Sequence, residues 1–152
     1  MKLALGTVQF GLNYGISNKY GQTNIQEIEK IFKTAIENKI NLLDTAPLYG
    51  QSEEAVGKSL PQKHSFNIVS KTPHFLTQEI TNTDIYQLTS SIKNSLKQLK
   101  QTSIYGILFH NKNQLLPRNG DLLIAELNKL KKQKIIQKFG FSVTIRNNLI
   151  KS

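Results

Sequence analysis

The chain holds 152 residues, 38 % of them hydrophobic and 20 % charged, with no cysteine and a formal net charge of +10. That length suits one domain with a real core, and the lack of cysteine excludes disulfides, thiol catalysis and cysteine-ligated metals. No apolar run approaches the roughly 20 residues that span a bilayer. The start, Met1-Lys2-Leu3-Ala4-Leu5-Gly6-Thr7, runs into strand-like sequence without an apolar signal segment, so a reducing cytoplasm is the expected location.

Taken in order, Leu3 to Val8 reads as a first strand, followed by a loop rich in glycine (Gly11, Gly15, Gly21). This loop is no GxGxxG fingerprint, and no helix is expected to open directly on it. Thr23 or Asn24 caps a helix with Ile25, Ile28, Ile31, Phe32, Ala35 and Ile36 at helical spacing, ended by Asn38-Lys39. Ile40 to Asp44 is a second strand. Pro47 and Gly50 then force a tight loop that carries Tyr49. Ser52 is an N-cap candidate for a short helix through Leu60, with Glu53 and Glu54 as helix-start anions.

Asn67 to Lys71 is a third strand. Thr83 is expected to cap a long amphipathic helix carrying Ile85, Leu88, Ile92, Leu96 and Leu99. Ile104 to Phe109 is a fourth strand, ending at His110. Asp121 begins a helix with Leu123, Ile124, Leu127 and Leu130, and Phe139-Gly140-Phe141 is a fifth strand ending at Ser142. Ile145 to Ile150 starts one more helix. Alternating strands and helices in units of roughly 30 residues, with continuous apolar strands, imply a single α/β domain built on a parallel sheet.

The positive charge invites an anionic partner such as nucleic acid. Its densest run, however, is Lys129, Lys131, Lys132, Lys134 and Lys138, largely at a helix C-terminus where cations are favoured by the dipole. No aromatics are interleaved to stack on bases, so a solvated basic face is the better reading. Salt-sensitive retention on heparin would favour the nucleic-acid alternative.

In parallel α/β folds the carboxyl ends of all strands share one face, and sites are assembled there. Asp44, Lys71 and His110 end successive strands, and Tyr49 lies just past the first. A phenol is a feeble proton donor near neutrality unless an adjacent cation stabilises the phenolate. Lys71 supplies such a cation, Asp44 holds it in place, and His110 orients a carbonyl oxygen. Singly, each has a plainer reading: a loop-capping aspartate, a packing aromatic, a lysine snorkelling off a strand, a surface histidine. His64 and His74 read as surface residues.

Gly6-Thr7-Val8-Gln9-Phe10-Gly11, Asn41-Leu42-Leu43-Asp44-Thr45-Ala46, Tyr49-Gly50-Gln51-Ser52-Glu53, Val69-Ser70-Lys71-Thr72 and Leu108-Phe109-His110 together resemble the aldo-keto reductase superfamily, in order and over essentially the whole chain. The resemblance implies a (β/α)8 barrel that reduces aldehydes or ketones with NADPH, less often NADH. It makes Tyr49 the general acid, tuned by Lys71 and Asp44, with His110 orienting the carbonyl. It places Gly6, Thr7 and Asp44 along the nicotinamide and Ser142 on its carboxamide, although Val143 stands where the family often has Asn.

A complete (β/α)8 barrel takes about 250 residues. Five strands are expected here, so the chain reads as the N-terminal part of a partial TIM barrel. The family's later strands and phosphate-gripping loops are missing from this reading. The basic run before the fifth strand lies at the wrong end to replace them. Two functions then compete: a reductase, weak or inactive as this length of chain, or a non-catalytic half-barrel that self-associates or assembles with another chain through open edges.

Overall fold

The computed structural model describes residues 3–63, 66–110 and 116–142. Its elements run β1 (Leu5–Gly6), α1 (Val8–Gly11), α2 (Ile25–Glu37), β2 (Leu42–Asp44), α3 (Ser52–Ser59), β3 (Asn67–Lys71), α4 (Asn82–Leu99), β4 (Ile104–Phe109), α5 (Asp121–Lys132) and β5 (Ile136–Phe141). The strands form one sheet in the order β1-β2-β3-β4-β5, every neighbouring pair parallel. Each βα unit therefore steps to the adjacent position, the winding of a (β/α) barrel. His64, Ser65, Val143 and the helix expected over 145–150 lie outside the described residues.

The helices form where apolar side chains recur on one face. On α2, Ile28, Phe32 and Ala35 are buried, and Asn24 opens the helix by accepting from the Glu27 N–H at 2.9 Å. On α4 the buried stripe is Leu88, Ile92, Ser95 and Leu99; on α5 it is Leu123, Leu127 and Leu130. These stripes meet Leu43, Ile68, Ile107 and Phe109 from the sheet in one continuous core. Fully burying each such side chain contributes about 1.5–3 kcal/mol. The alternating strand residues Leu42, Asp44, Val69 and Leu108 stay partly exposed on the opposite, uncovered face.

Several boundaries differ from those read from the sequence, β1 starting at Leu5 and β2 at Leu42 among them. β1 stops at Gly6 because Thr7 leaves the ladder, turning both its N–H and its hydroxyl to the Asp44 carbonyl at 3.0 Å. Val8–Gly11 then coils into a helical turn instead of continuing the strand or opening the loop. α4 is capped by Thr81 rather than Thr83, since the Asp84 carboxylate accepts from the Thr81 N–H at 2.8 Å and its hydroxyl at 2.7 Å. β5 begins at Ile136, well before Phe139, pairing with Ile104. The polar Gln137 and Lys138 hid this start. Lys138 belongs to the strand, its ammonium 4.7 Å from the Tyr105 ring centroid and donating to the phenol at 2.9 Å.

Candidate active site

β2, β3 and β4 bring Asp44, Lys71 and His110 to one end of the sheet, as register requires: Asp44 pairs with Val69, and Lys71 with Leu108. Adjacent residues of β3 point to opposite faces. Ser70 therefore enters the helix layer while Lys71 rises on the open face beside Asp44. The Lys71 ammonium donates to both Asp44 carboxylate oxygens at 2.9 Å and to the Thr45 carbonyl at 3.0 Å. Three acceptors match its three protons. Lys71 is 5 % exposed, so this complete satisfaction is what permits a charge at such depth.

Tyr49 reaches the same ammonium from the loop after β2. The Lys71 Nζ lies 4.8 Å from the centroid of its ring. The loop is held by hydrogen bonds from the Tyr49 N–H to the Ala46 carbonyl at 3.0 Å and from the Ser52 N–H to the Tyr49 carbonyl at 3.1 Å. Gly50 has φ +58°, and a Cβ there would lie 2.6 Å from the Gly11 carbonyl oxygen. A Cβ on Gly11 would collide in turn with the Tyr49 carbonyl. The two glycines thus let the β1 and β2 loops interlock and fix the height of the phenol.

Ser52 does not cap α3, which starts after Gln51. It is fully buried, and its hydroxyl donates toward Thr7, lying 2.7 Å from both the carbonyl and hydroxyl oxygens. Thr7 is itself fully buried and spends its hydroxyl on Asp44. Its visible part is to tie the ends of β1 and β2 together, with Thr45 Oγ1 adding a contact of 3.2 Å to Ser52 Oγ. Gly6 stands exposed, with open space where a Cβ would be. Ser142 follows β5 level with His110, its N–H donating to the Phe109 carbonyl at 2.9 Å.

His110 is half-buried, and its Nδ1 is buried with no hydrogen-bond partner among the described residues. Burial, then the neighbouring His74 and Lys71, push its proton affinity below the ordinary histidine range, against an opposing pull from Asp44. The imidazole is therefore held neutral, and a neutral ring can donate one hydrogen bond to a carbonyl oxygen. His74 is exposed, as expected, yet its ring lies against His110 with centroids 4.6 Å apart. No periodicity in the sequence signalled that placement.

Glu53, read as a helix-start anion, sits much deeper, 4 % exposed, accepting from the Ser70 hydroxyl at 2.6 Å. Burial raises its proton affinity above that of an ordinary carboxylate, opposed by hydrogen bonds from Ser70 and Ser95 and by the Lys71 charge. The folded chain then binds more protons at Glu53 than the unfolded chain does. Stability should fall as pH rises above the ordinary value of 4.5. Glu53→Gln is expected to flatten that decline between acidic and neutral pH in urea titrations. Glu53→Ala should instead cost about 1–3 kcal/mol throughout, because the serine hydroxyls lose their acceptor.

The Lys129, Lys131 and Lys132 run ends α5, which leads into the amino end of β5, opposite the tetrad. Among the described residues no group of acidic residues and histidines could hold a metal, and no helix is long and apolar enough to cross a membrane.

Comparison with known proteins agrees with this architecture. A structure of an aldo-keto reductase from Pseudomonas aeruginosa matches with 29 % identity and a TM-score of 0.75, over 91 % of this chain and 54 % of that one. The glycerol dehydrogenase of Gluconobacter oxydans matches with 26 % identity and a TM-score of 0.67, over 94 % of this chain and 45 % of that one. An aldo-keto reductase from Bacillus halodurans shares the fold at 24 % identity and a TM-score of 0.72, over 93 % and 45 % of the two chains. The chain spans about half the length of these barrels. No curated protein sequence matches it significantly. The model of the aldo/keto reductase family matches residues 2–148. The chain, with five parallel strands of the barrel and the Asp44, Tyr49, Lys71 and His110 cluster at their carboxyl ends, belongs to the aldo/keto reductase family.

Proposed function

We propose that this chain carries the catalytic half of an oxidoreductase that reduces an aldehyde or ketone, with NADPH as the cofactor and NADH as the alternative. The observation that carries the reading is the Lys71 ammonium, bonded to both Asp44 oxygens at 2.9 Å and lying 4.8 Å from the Tyr49 ring. Tyr49 is the proton donor to the carbonyl oxygen, Lys71 stabilises the phenolate left behind, and Asp44 fixes Lys71. Neutral His110 donates a hydrogen bond that orients the same oxygen.

A nicotinamide fits this face in one respect that can be examined directly: Gly6 leaves bare backbone and open space beside Asp44 at the end of β1. Gly6 and Asp44 would line the ring, with Thr7 holding the two strand ends beneath it and Ser142 offered to the carboxamide. The cofactor supplies hydride when bound. The test uses NADPH deuterated at the transferable position, with an aromatic aldehyde and protein in excess over nucleotide so that slow turnover still registers. Deuterium on the carbinol carbon of the alcohol is the expected result, and alcohol without label, or none above a protein-free control, would remove the reading.

A non-catalytic half-barrel is the second reading, favoured by the outer edges of β1 and β5, which no strand among the described residues pairs, and by Phe141, 45 % exposed on the latter. Light scattering separates them: a stable dimer without label transfer supports the module.

A further inference from the structure

The contact between His74 and His110 is not part of the tetrad. β3 ends at Lys71, and the Thr72 N–H donates to the Leu108 carbonyl at 2.9 Å, which pins the start of the following loop to β4. The loop then sets the His74 ring 4.6 Å from that of His110, with 48° between the planes. One imidazole of the pair is wet, and the other has its Nδ1 sealed from water. With the rings this close, positive charge on one opposes positive charge on the other.

The other charges facing His110 are Lys71 from β3 and Asp44 from β2, with the Tyr49 phenol beyond Lys71. Lys71 and Asp44 are paired at 2.9 Å and oppose each other at His110. His74 has no ion-pair partner among the described residues, so its charge is the one that pair does not cancel. We infer that His74 is a positioning residue for His110: its ring, packed on the solvent side, opposes positive charge on the adjacent ring, which then meets a carbonyl oxygen as a neutral imidazole with a single N–H to donate. This deepens the reductase reading and rests on it for its purpose, though not for its test.

The deciding measurement is an NMR titration of the imidazole C–H signals in the chain alone, with His110 assigned through His110→Gln. His74→Gln is expected to shift the His110 midpoint upward. His74→Arg restores a planar cation that stacks on an imidazole and should keep the midpoint low. An unmoved midpoint in His74→Gln, or an upward shift in His74→Arg equal to that in the glutamine variant, would overturn the inference. His74 is exposed, so both variants should fold; amide spectra verify this, and His74→Asn serves as a second neutral variant. The titration needs neither nucleotide nor aldehyde. Its failure removes the coupling alone, whereas absent label transfer removes the reductase reading and leaves the coupling standing.

Discussion

Replacing Asp44 with alanine is expected to lower the unfolding free energy by about 3–5 kcal/mol, a larger loss than Lys71→Met produces. The asymmetry comes from where each charge sits. Lys71 is 5 % exposed and Asp44 37 %. Removing the carboxylate strands an ammonium in a nearly closed site, with the Thr45 carbonyl at 3.0 Å as its remaining acceptor. Removing the ammonium leaves a carboxylate that water can reach, and methionine fills much of the lysine volume. Urea unfolding followed by circular dichroism measures both, with equal m-values required for the comparison. A Lys71→Met variant that loses as much stability as Asp44→Ala would mean that the pair is solvated and that the depth of Lys71 counts for little. In the double variant the losses should fall well short of additive, because each single change removes the same interaction.

That pair was legible in the sequence for a topological reason. Once strands and helices alternate, parallel pairing follows, and residues that end strands must converge even when far apart in the chain. Asp44, Lys71 and His110 needed only the strand boundaries, and β2, β3 and β4 each end where the apolar run ends. The less legible features depend on contacts that no periodicity encodes. Ser52 looks like a helix cap by position, but its hydroxyl is drawn across to Thr7, because the interlocked loops at Gly11 and Gly50 bring those backbones together. Glu53 looks like a solvated anion at a helix start, yet α3 turns it inward onto Ser70. The start of β5 was masked by Lys138, whose long side chain lies along Tyr105 and so tolerates a strand position that a binary pattern assigns to solvent. His74 was invisible for the same reason: a loop side chain with no repeating pattern is placed by where its anchors go, here the Thr72 bond to β4.

In the reaction proposed above, Tyr49→Phe should lower carbonyl-dependent oxidation of the nucleotide by about 10²–10⁴-fold, the usual loss when a positioned general acid is removed. Nucleotide affinity and fold should be nearly untouched. The reason lies in how Lys71 meets the residue. Its three protons go to Asp44 and Thr45, and what it shares with Tyr49 is the face of the ring, 4.8 Å away. Phenylalanine keeps that face and the loop geometry set by Gly11 and Gly50, and removes only the hydroxyl. A large rate loss with an unchanged unfolding midpoint and unchanged nucleotide binding therefore isolates proton donation from packing. Lys71→Met should slow turnover as well, but with a stability cost that Tyr49→Phe does not share. The comparison fails in an informative way if the phenylalanine variant keeps a rate within tenfold of the parent, since roughly 1.4 kcal/mol of barrier is too little for a general acid acting on a developing alkoxide. His110 or water would then have to supply the proton, and a half-buried, neutral imidazole with one nitrogen sealed from solvent is poorly suited to do so.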